Sequence, residues 1–304
     1  MRFSIWPALG QPWTEVLEVT RHAEATGWDG VYMADHFMGD ASGGFGPVAE
    51  PTLEATAALA AAAALTSRLR LGTLVLGNTY RHPAVVANWA ATVDRLSGGR
   101  LLLGVGAGWQ QNEHDQYGIE LPSPRERIDR FEEACQVWNG LLRQPTTSVA
   151  GTHYRLTDAI CEPKPVQAPL PLLIGGKGNR MMGVVARHAD EWNMWGLAPV
   201  IAERSTLLDQ RCEAIGRDPT EIRRSAQALV LLTDDRAKAA AFLDGTGGRA
   251  AIAGTTDDVS AAVAAWHDVG LDEVIIPDFT LGRGAGRLDR MDAIIEQVAP
   301  SFRR

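Results

Sequence analysis

His36 is the side chain best suited to moving a proton near neutral pH, and it follows Asp35 at the end of the apolar segment 30–34. An imidazole there can donate to, or accept from, a ligand oxygen or nitrogen. An isolated histidine also serves as a structural hydrogen-bonding group, and the sequence leaves both roles open. Asp35 either orients the ring or caps the next element. Gly175-Gly176-Lys177-Gly178 separates an apolar strand from a helix that starts near Asn179. Unpaired N–H groups at such a helix start attract a phosphate, and glycines let it come close. The spacing and the missing hydroxyl after the lysine exclude a Walker loop. A plain flexible loop is the alternative. Gly104-Val105-Gly106-Ala107-Gly108 has the spacing G-x-G-x-G, whereas a dinucleotide turn requires G-x-G-x-x-G. Its alternate glycines either clear one strand face for a flat ligand or allow tight packing between elements.

Trp6, Trp109, Trp192 and Trp195 fall at expected strand ends. Aromatics there wall a pocket for a planar ring, with core packing as the ordinary alternative. Asn112-Glu113-His114-Asp115 lacks the partner set of a metal site and reads as a polar loop, so no metal is expected. Arg81-His82-Pro83 reads as a helix entry. The chain carries no serine elbow, paired-carboxylate signature or cysteine nucleophile pattern. Such a site is built to hold a cofactor that does the chemistry.

These groups need a scaffold that brings distant strand ends together. Residues 69–76 have the branched, nearly continuous apolar character of a strand covered on both faces. Pro83 opens a helix that stops at Ser97-Gly98-Gly99, and residues 101–105 form the next strand. Strands joined by such a crossover lie parallel. The same alternation predicts strands over 3–6, 30–34, 172–174, 191–194, 225–232 and 273–277. Helices are expected over 13–26, 52–67, 125–142, 180–188, 200–215, 257–269 and 288–299, with a glycine-rich segment at 245–254. This pattern favours one α/β domain over residues 1–304, a (β/α)8 TIM barrel with an excursion at residues 145–171. An open doubly wound sheet is the alternative. In either case ligands bind at the carboxyl ends of the strands.

The 29 basic and 37 acidic residues leave a formal charge of −8, which opposes nucleic-acid and anionic-membrane partners. The three cysteines are far apart and form no C-x-x-C pair, as expected of a reducing cytoplasm. No signal-peptide pattern opens the chain, and the apolar run 55–65 falls far short of the roughly 20 residues a membrane helix needs.

At these residues the chain resembles the luciferase-like monooxygenase superfamily, and within it the branch of deazaflavin-dependent oxidoreductases that use coenzyme F420. The matching motifs include Gly27-Trp28-Asp29-Gly30, Ala34-Asp35-His36-Phe37, Gly106-Ala107-Gly108-Trp109, Pro163-Lys164-Pro165 and Ala189-Asp190-Glu191-Trp192-Asn193. The resemblance implies a barrel with the ring system at the carboxyl ends of the strands. It implies a non-proline cis peptide at Leu74–Val75, bulging against the ring. Gly175, Gly176, Lys177 and Gly178 would meet the phosphate region. Asp35, Gly106, Asn112 and Trp192 would lie along the coenzyme, and Trp6, Trp109 and Trp195 along the substrate. His36 would transfer a proton during hydride exchange with a small organic molecule. Some sugar-phosphate dehydrogenases of this branch carry a glutamate acid where this chain has Trp109, and tryptophan cannot supply that proton. The resemblance also suggests a homodimer. An FMN-dependent monooxygenase and a non-catalytic cofactor-binding relative are the alternatives.

Overall fold

The computed structural model describes residues 1–40 and 46–303. Eight parallel staves alternate with helices: β1 Arg2–Trp6, β2 Gly30–Met33, β3 Arg70–Thr73, β4 Leu101–Gly106, β5 Leu172–Gly175, β6 Glu191–Trp195, β7 Arg223–Gln227 and β8 Glu273–Pro277. Ser4 of β1 registers with Ile275 of β8 on one side and with Gly30 of β2 on the other. β3 pairs with β4 through Leu71 and Leu101, so the sheet closes on itself as a TIM barrel. Among the described residues no helix is long and apolar enough to cross a membrane.

Three departures from the sequence reading bear on the site. Residues 69–76 do not form one strand. Pairing stops after Thr73, the Leu74–Val75 peptide is cis, and the ladder resumes with Leu76–Gly77 opposite Val105–Gly106. Residues 225–232 also divide. After Gln227 the chain leaves the barrel, and Leu229–Leu232 pairs in parallel with Ala251–Gly254. Four of the ten residues of the glycine-rich segment 245–254 are therefore strand. A helix, Arg236–Asp244, escaped notice because only Ala239 is buried and no apolar stripe betrays it. Asp235 caps its start. The excursion at 145–171 holds an antiparallel pair, Thr147–Ala150 with Arg155–Ala159.

The barrel interior is layered. Trp6, Tyr32, Leu74, Leu102, Leu173 and Ile275 pack together across its middle. Below them, at the amino-terminal ends of the strands, the filling is polar. Arg70 donates to the Glu191 carboxylate, one contact at 3.0 Å, and to Glu273 at 3.4 Å. Glu273 also accepts from Ser4 Oγ at 2.6 Å and from the Tyr32 hydroxyl at 3.0 Å. Burial pushes the Glu191 carboxyl up, and the Arg70 guanidinium works against that rise. Removing the cation would leave the buried Glu191 carboxylate without its bonded partner and Glu273 with Arg2 alone as a cation among the described residues, 3.6 Å away. Arg70→Met should therefore lower the unfolding free energy by about 3–5 kcal/mol in urea titrations. An unchanged midpoint would show that the network contributes little.

Candidate active site

β2 ends at Met33, and the chain then carries Asp35 and His36 over the carboxyl-terminal rim. Asp35 is buried and its carboxylate is a structural tie. It accepts two bonds from the Arg81 guanidinium, at 2.6 and 2.9 Å, and one from the Gly77 amide at 3.0 Å. Arg81 reaches the Glu54 carboxylate as well. The loop after β2 is thus fastened to the segment that follows the break in β3. Of the two roles open to Asp35 from sequence, orienting the imidazole is not the one adopted.

That task falls to Glu113. His36 Nδ1 lies 3.1 Å from Glu113 Oε2. The same carboxylate accepts from the Phe37 amide, from the Met38 amide at 3.2 Å and from the Tyr80 hydroxyl. Its side chain is 0% exposed. Burial alone would raise the Glu113 carboxyl, but donation from His36, the His36 charge, Tyr80 and the Phe37 amide outweigh it and hold the group below its ordinary value. The Tyr80 phenol moves the other way, raised by burial and by the neighbouring Glu113 and Asp35 carboxylates. An ionised carboxylate only accepts, so the Nδ1 hydrogen of His36 points at Glu113. Trp109 stands edge-on to the imidazole, its ring centre 5.5 Å away.

His36 and Trp6 lie between two cavities and line both. The smaller, about 400 Å³, opens over the barrel mouth and is walled by Leu74, Val75, residues 106–109, residues 175–177, Met194 and Trp195. The larger, about 600 Å³, runs along Leu9, Gln11, Met38 and Phe279 to the buried Asp278 and Arg287. There Asp278 accepts from the Ala8 amide at 2.9 Å, from Gln11 at 2.7 Å and from Arg287 at 3.0 Å, tying the ends of β1 and β8 together. Burial nonetheless pushes its carboxyl up. Trp6 meets Trp195 and Phe279 at ring separations of 5.8 and 5.1 Å, an apolar joint between the chambers.

The glycine pattern has a specific cause. A Cβ on Gly106 would lie 2.7 Å from Val75 Cγ2, and one on Gly175 would lie 3.0 Å from Val75 Cγ1. A Cβ on Gly104 would meet the Thr73 carbonyl oxygen at 1.9 Å, and one on Gly108 the Thr79 hydroxyl at 2.6 Å. The glycines of this run allow close packing, and Gly106, Gly108 and Gly175 also line the smaller cavity. Val75 fills the notch, and the cavity wall is its isopropyl group flanked by main chain.

Other expected site residues scatter. Trp192 does not line either cavity: its indole is fully buried and donates to the Gly176 carbonyl at 2.7 Å, supporting the loop from behind. Asn112 is also outside both linings, because its amide donates to the Gly39 carbonyl at 3.0 Å. Gly178 caps the helix Asn179–His188 and lines neither cavity, although its neighbour Lys177 lines the smaller one. Trp6, Trp109 and Trp195 do line the smaller cavity. Glu113, Tyr80 and Arg81 were missed as organisers of the site. Residues 112–115 form part of a helix, Gln111–Tyr117, rather than a loop, and its seven residues are too few to show a period. His82 caps the helix Pro83–Leu96, as its place before Pro83 suggests. Residues 41–45 of the expected loop at 39–50 lie outside the described residues.

A family model for luciferase-like monooxygenases matches residues 1–297. An F420-dependent glucose-6-phosphate dehydrogenase from Beutenbergia cavernae is 37% identical over 178 residues, 58% of this chain. The match spans only about half of that relative, 51% of its length. A putative coenzyme F420-dependent oxidoreductase from Mycobacterium tuberculosis is 30% identical over 79% of this chain and 68% of its own. Among solved structures, an F420-dependent secondary alcohol dehydrogenase with an F420–acetone adduct superposes with a TM-score of 0.86 at 19% identity, over 100% of this chain and 99% of that one. The F420-dependent tetrahydromethanopterin reductase of Methanopyrus kandleri gives 0.82 at 18% identity, over 99% of both chains. At such identities these two likenesses speak to the fold.

Two measurements follow from the geometry. Gly106→Ala should cost about 1–3 kcal/mol by forcing Val75 aside, and Val75→Ala in the same chain should return part of that loss. Strict additivity in the double-mutant cycle would rule out the wedge. Glu113 has a lowered carboxyl value, so its stabilising contribution is present above the ordinary carboxylate range and is lost as pH falls through the lowered value. Glu113→Gln should thus destabilise by about 1–3 kcal/mol at neutral pH, and the gap from the parent should narrow on acidification. A gap that widens in acid would contradict the assignment.

Proposed function

Because the chain belongs to the luciferase-like monooxygenase family, we propose that it is a coenzyme F420-dependent oxidoreductase exchanging a hydride with a small organic substrate. The named relatives support this reading, although their matches cover about half to two thirds of their own lengths. The observation that carries it is His36, oriented by a buried carboxylate and shared by two adjoining cavities. One chamber suits a flat coenzyme and the other its reaction partner.

The smaller cavity fits an elongated ring with a phosphate at one end. Val75 and the main chain of residues 106–108 offer a smooth apolar wall without side chains to obstruct a plane. Gly175, Gly176 and Lys177 line the cavity just before a helix, and the Lys177 ammonium would hold the phosphate, since the Gly176 amide is taken by the Asn193 carbonyl at 3.0 Å. The coenzyme, when bound, supplies a ring carbon that takes or gives hydride. The protein positions the partner against it and exchanges the accompanying proton through His36 Nε2. Trp109 occupies the place of a glutamate acid in some sugar-phosphate dehydrogenases of the branch, so we assign the proton to His36 alone and do not assign a sugar phosphate as substrate. The same reading makes the protein a cytoplasmic homodimer acting on small molecules, with no nucleic-acid or membrane partner, in keeping with its net charge of −8.

Fluorescence titration with F420 and with FMN tests the coenzyme. F420 should bind, and binding of FMN alone would defeat the proposal. With a substrate found from a panel of alcohols and carbonyl compounds, His36→Ala should retain coenzyme affinity and lose about 10²- to 10⁴-fold in kcat. Undiminished turnover would remove the proton role.

A further inference from the structure

We infer that the barrel carries a second binding site at its opposite end, an arginine-lined depression that takes a small phosphorylated anion bearing at least two negative charges. The depression, about 480 Å³, lies at the amino-terminal ends of the strands, away from both cavities described above. It does not rest on the F420 reading. Arg2 opens β1, Arg70 opens β3 and Arg223 opens β7, while Arg68 and Arg100 stand just before β3 and β4. Five arginines therefore face three acidic residues, Asp190, Glu191 and Glu221, on a chain whose net charge is −8.

The acids are already matched. Asp190 pairs with Arg143 and Glu221 with Arg217, neither cation belonging to the lining, and Glu191 pairs with Arg70. Arg68 and Arg100 are held by carbonyls rather than carboxylates. Arg68 donates to the Ala23, Glu24 and Trp28 carbonyls at the end of the helix Trp13–Thr26. Arg100 donates to the Ala63 and Thr66 carbonyls at the end of the helix Ala55–Leu65 and to the Leu69 carbonyl. Such a helix end offsets only about half an elementary charge. Glu24, whose charge reaches Arg100, is itself occupied by the amides of Ser67, Arg68 and Leu69. These two arginines thus supply a fixed positive field, and the donors come from the other side of the depression. Among the described residues, the Arg2 and Arg223 guanidinium groups make no hydrogen bond. Arg2 approaches Glu273 only to 3.6 Å, and Arg223 is exposed with no ion pair.

Strand register sets these two forks on either side of β8. Arg2 lies opposite Glu273, and Ser225, two residues beyond Arg223, lies opposite the same glutamate from β7. A guanidinium presents paired N–H groups that match two oxygens of a phosphoryl group. Two such forks suit a ligand with two anionic ends, and the volume exceeds the needs of a single carboxylate. A bound anion would tie β1 to β7 and offset the charge of Arg68, Arg70 and Arg100 beside the β3–β4 seam that closes the barrel. Occupancy would therefore stabilise the fold through binding to the native state alone.

The test is isothermal titration of the intact protein with inorganic pyrophosphate at low ionic strength, repeated with added sodium chloride. The parent should show saturable binding that weakens with salt, and its melting temperature should rise with pyrophosphate concentration. Arg2→Gln/Arg223→Gln should bind about tenfold more weakly. Lys177→Ala, which alters only the coenzyme cavity, should bind as the parent does. If the double variant does not fold, Arg223→Glu replaces it, since that change falls on an exposed side chain without a partner, and it should lose most of the binding. Absence of saturable binding, undiminished affinity in the arginine variants, or loss of binding in Lys177→Ala would overturn the site. Each of these outcomes leaves the coenzyme assignment standing, because that is read from F420 titration.

Discussion

A carboxylate with no access to water must gather donors around itself, and the mouth of this barrel is arranged by the donors that Glu113 gathers. Its partners come from two stretches of chain: His36, Phe37 and Met38 after β2, and Tyr80 beyond the break in β3. Leaving any of them unpaired inside the protein would cost more than the bond itself contributes. The loop bearing His36 therefore has one orientation to adopt. Asp35, held by Arg81, fixes the same loop from its other side. The histidine is therefore held from both directions, by Glu113 on its ring and by Asp35 through the loop.

The wall opposite depends on a steric condition. Val75 enters a notch that exists only because residues 106 and 175 lack a Cβ. A side chain at either position would push the valine back and roughen the wall where a planar molecule would rest. Trp192 supports the Gly176 carbonyl from the protein side, so this loop is braced as well. Polar holding groups surround an apolar surface, an arrangement suited to ordering a flat ligand while keeping water from it.

How much of this could be read beforehand depended on the range of the cause. The βα alternation, the helix entry at His82, and the places of His36, Lys177 and Trp195 in the lining of the smaller cavity follow from local chemistry and strand-end position. The divided strand at 225–232 did not, because the apolar run is continuous and only pairing with residues 251–254 draws its second half out of the barrel. Trp192 and Asn112 have the right residue types near the right strand ends, yet they face the interior and a neighbouring loop. Which way such a side chain turns depends on what stands on either side of it.

From the order of residues alone came the strict alternation of parallel strands and helices that favours a barrel over an open sheet, since periodicity, turn chemistry and strand polarity are properties of short stretches; closure itself came with the pairing of β3 with β4. The partner of His36, the valine behind the glycines and the division into two chambers came only with the folded chain. Glu113 lies 77 positions from His36, and nothing in either neighbourhood specifies the other. Their pairing is decided when closure of the sheet sets β2 and β4 around one mouth and burial leaves the carboxylate no other donors.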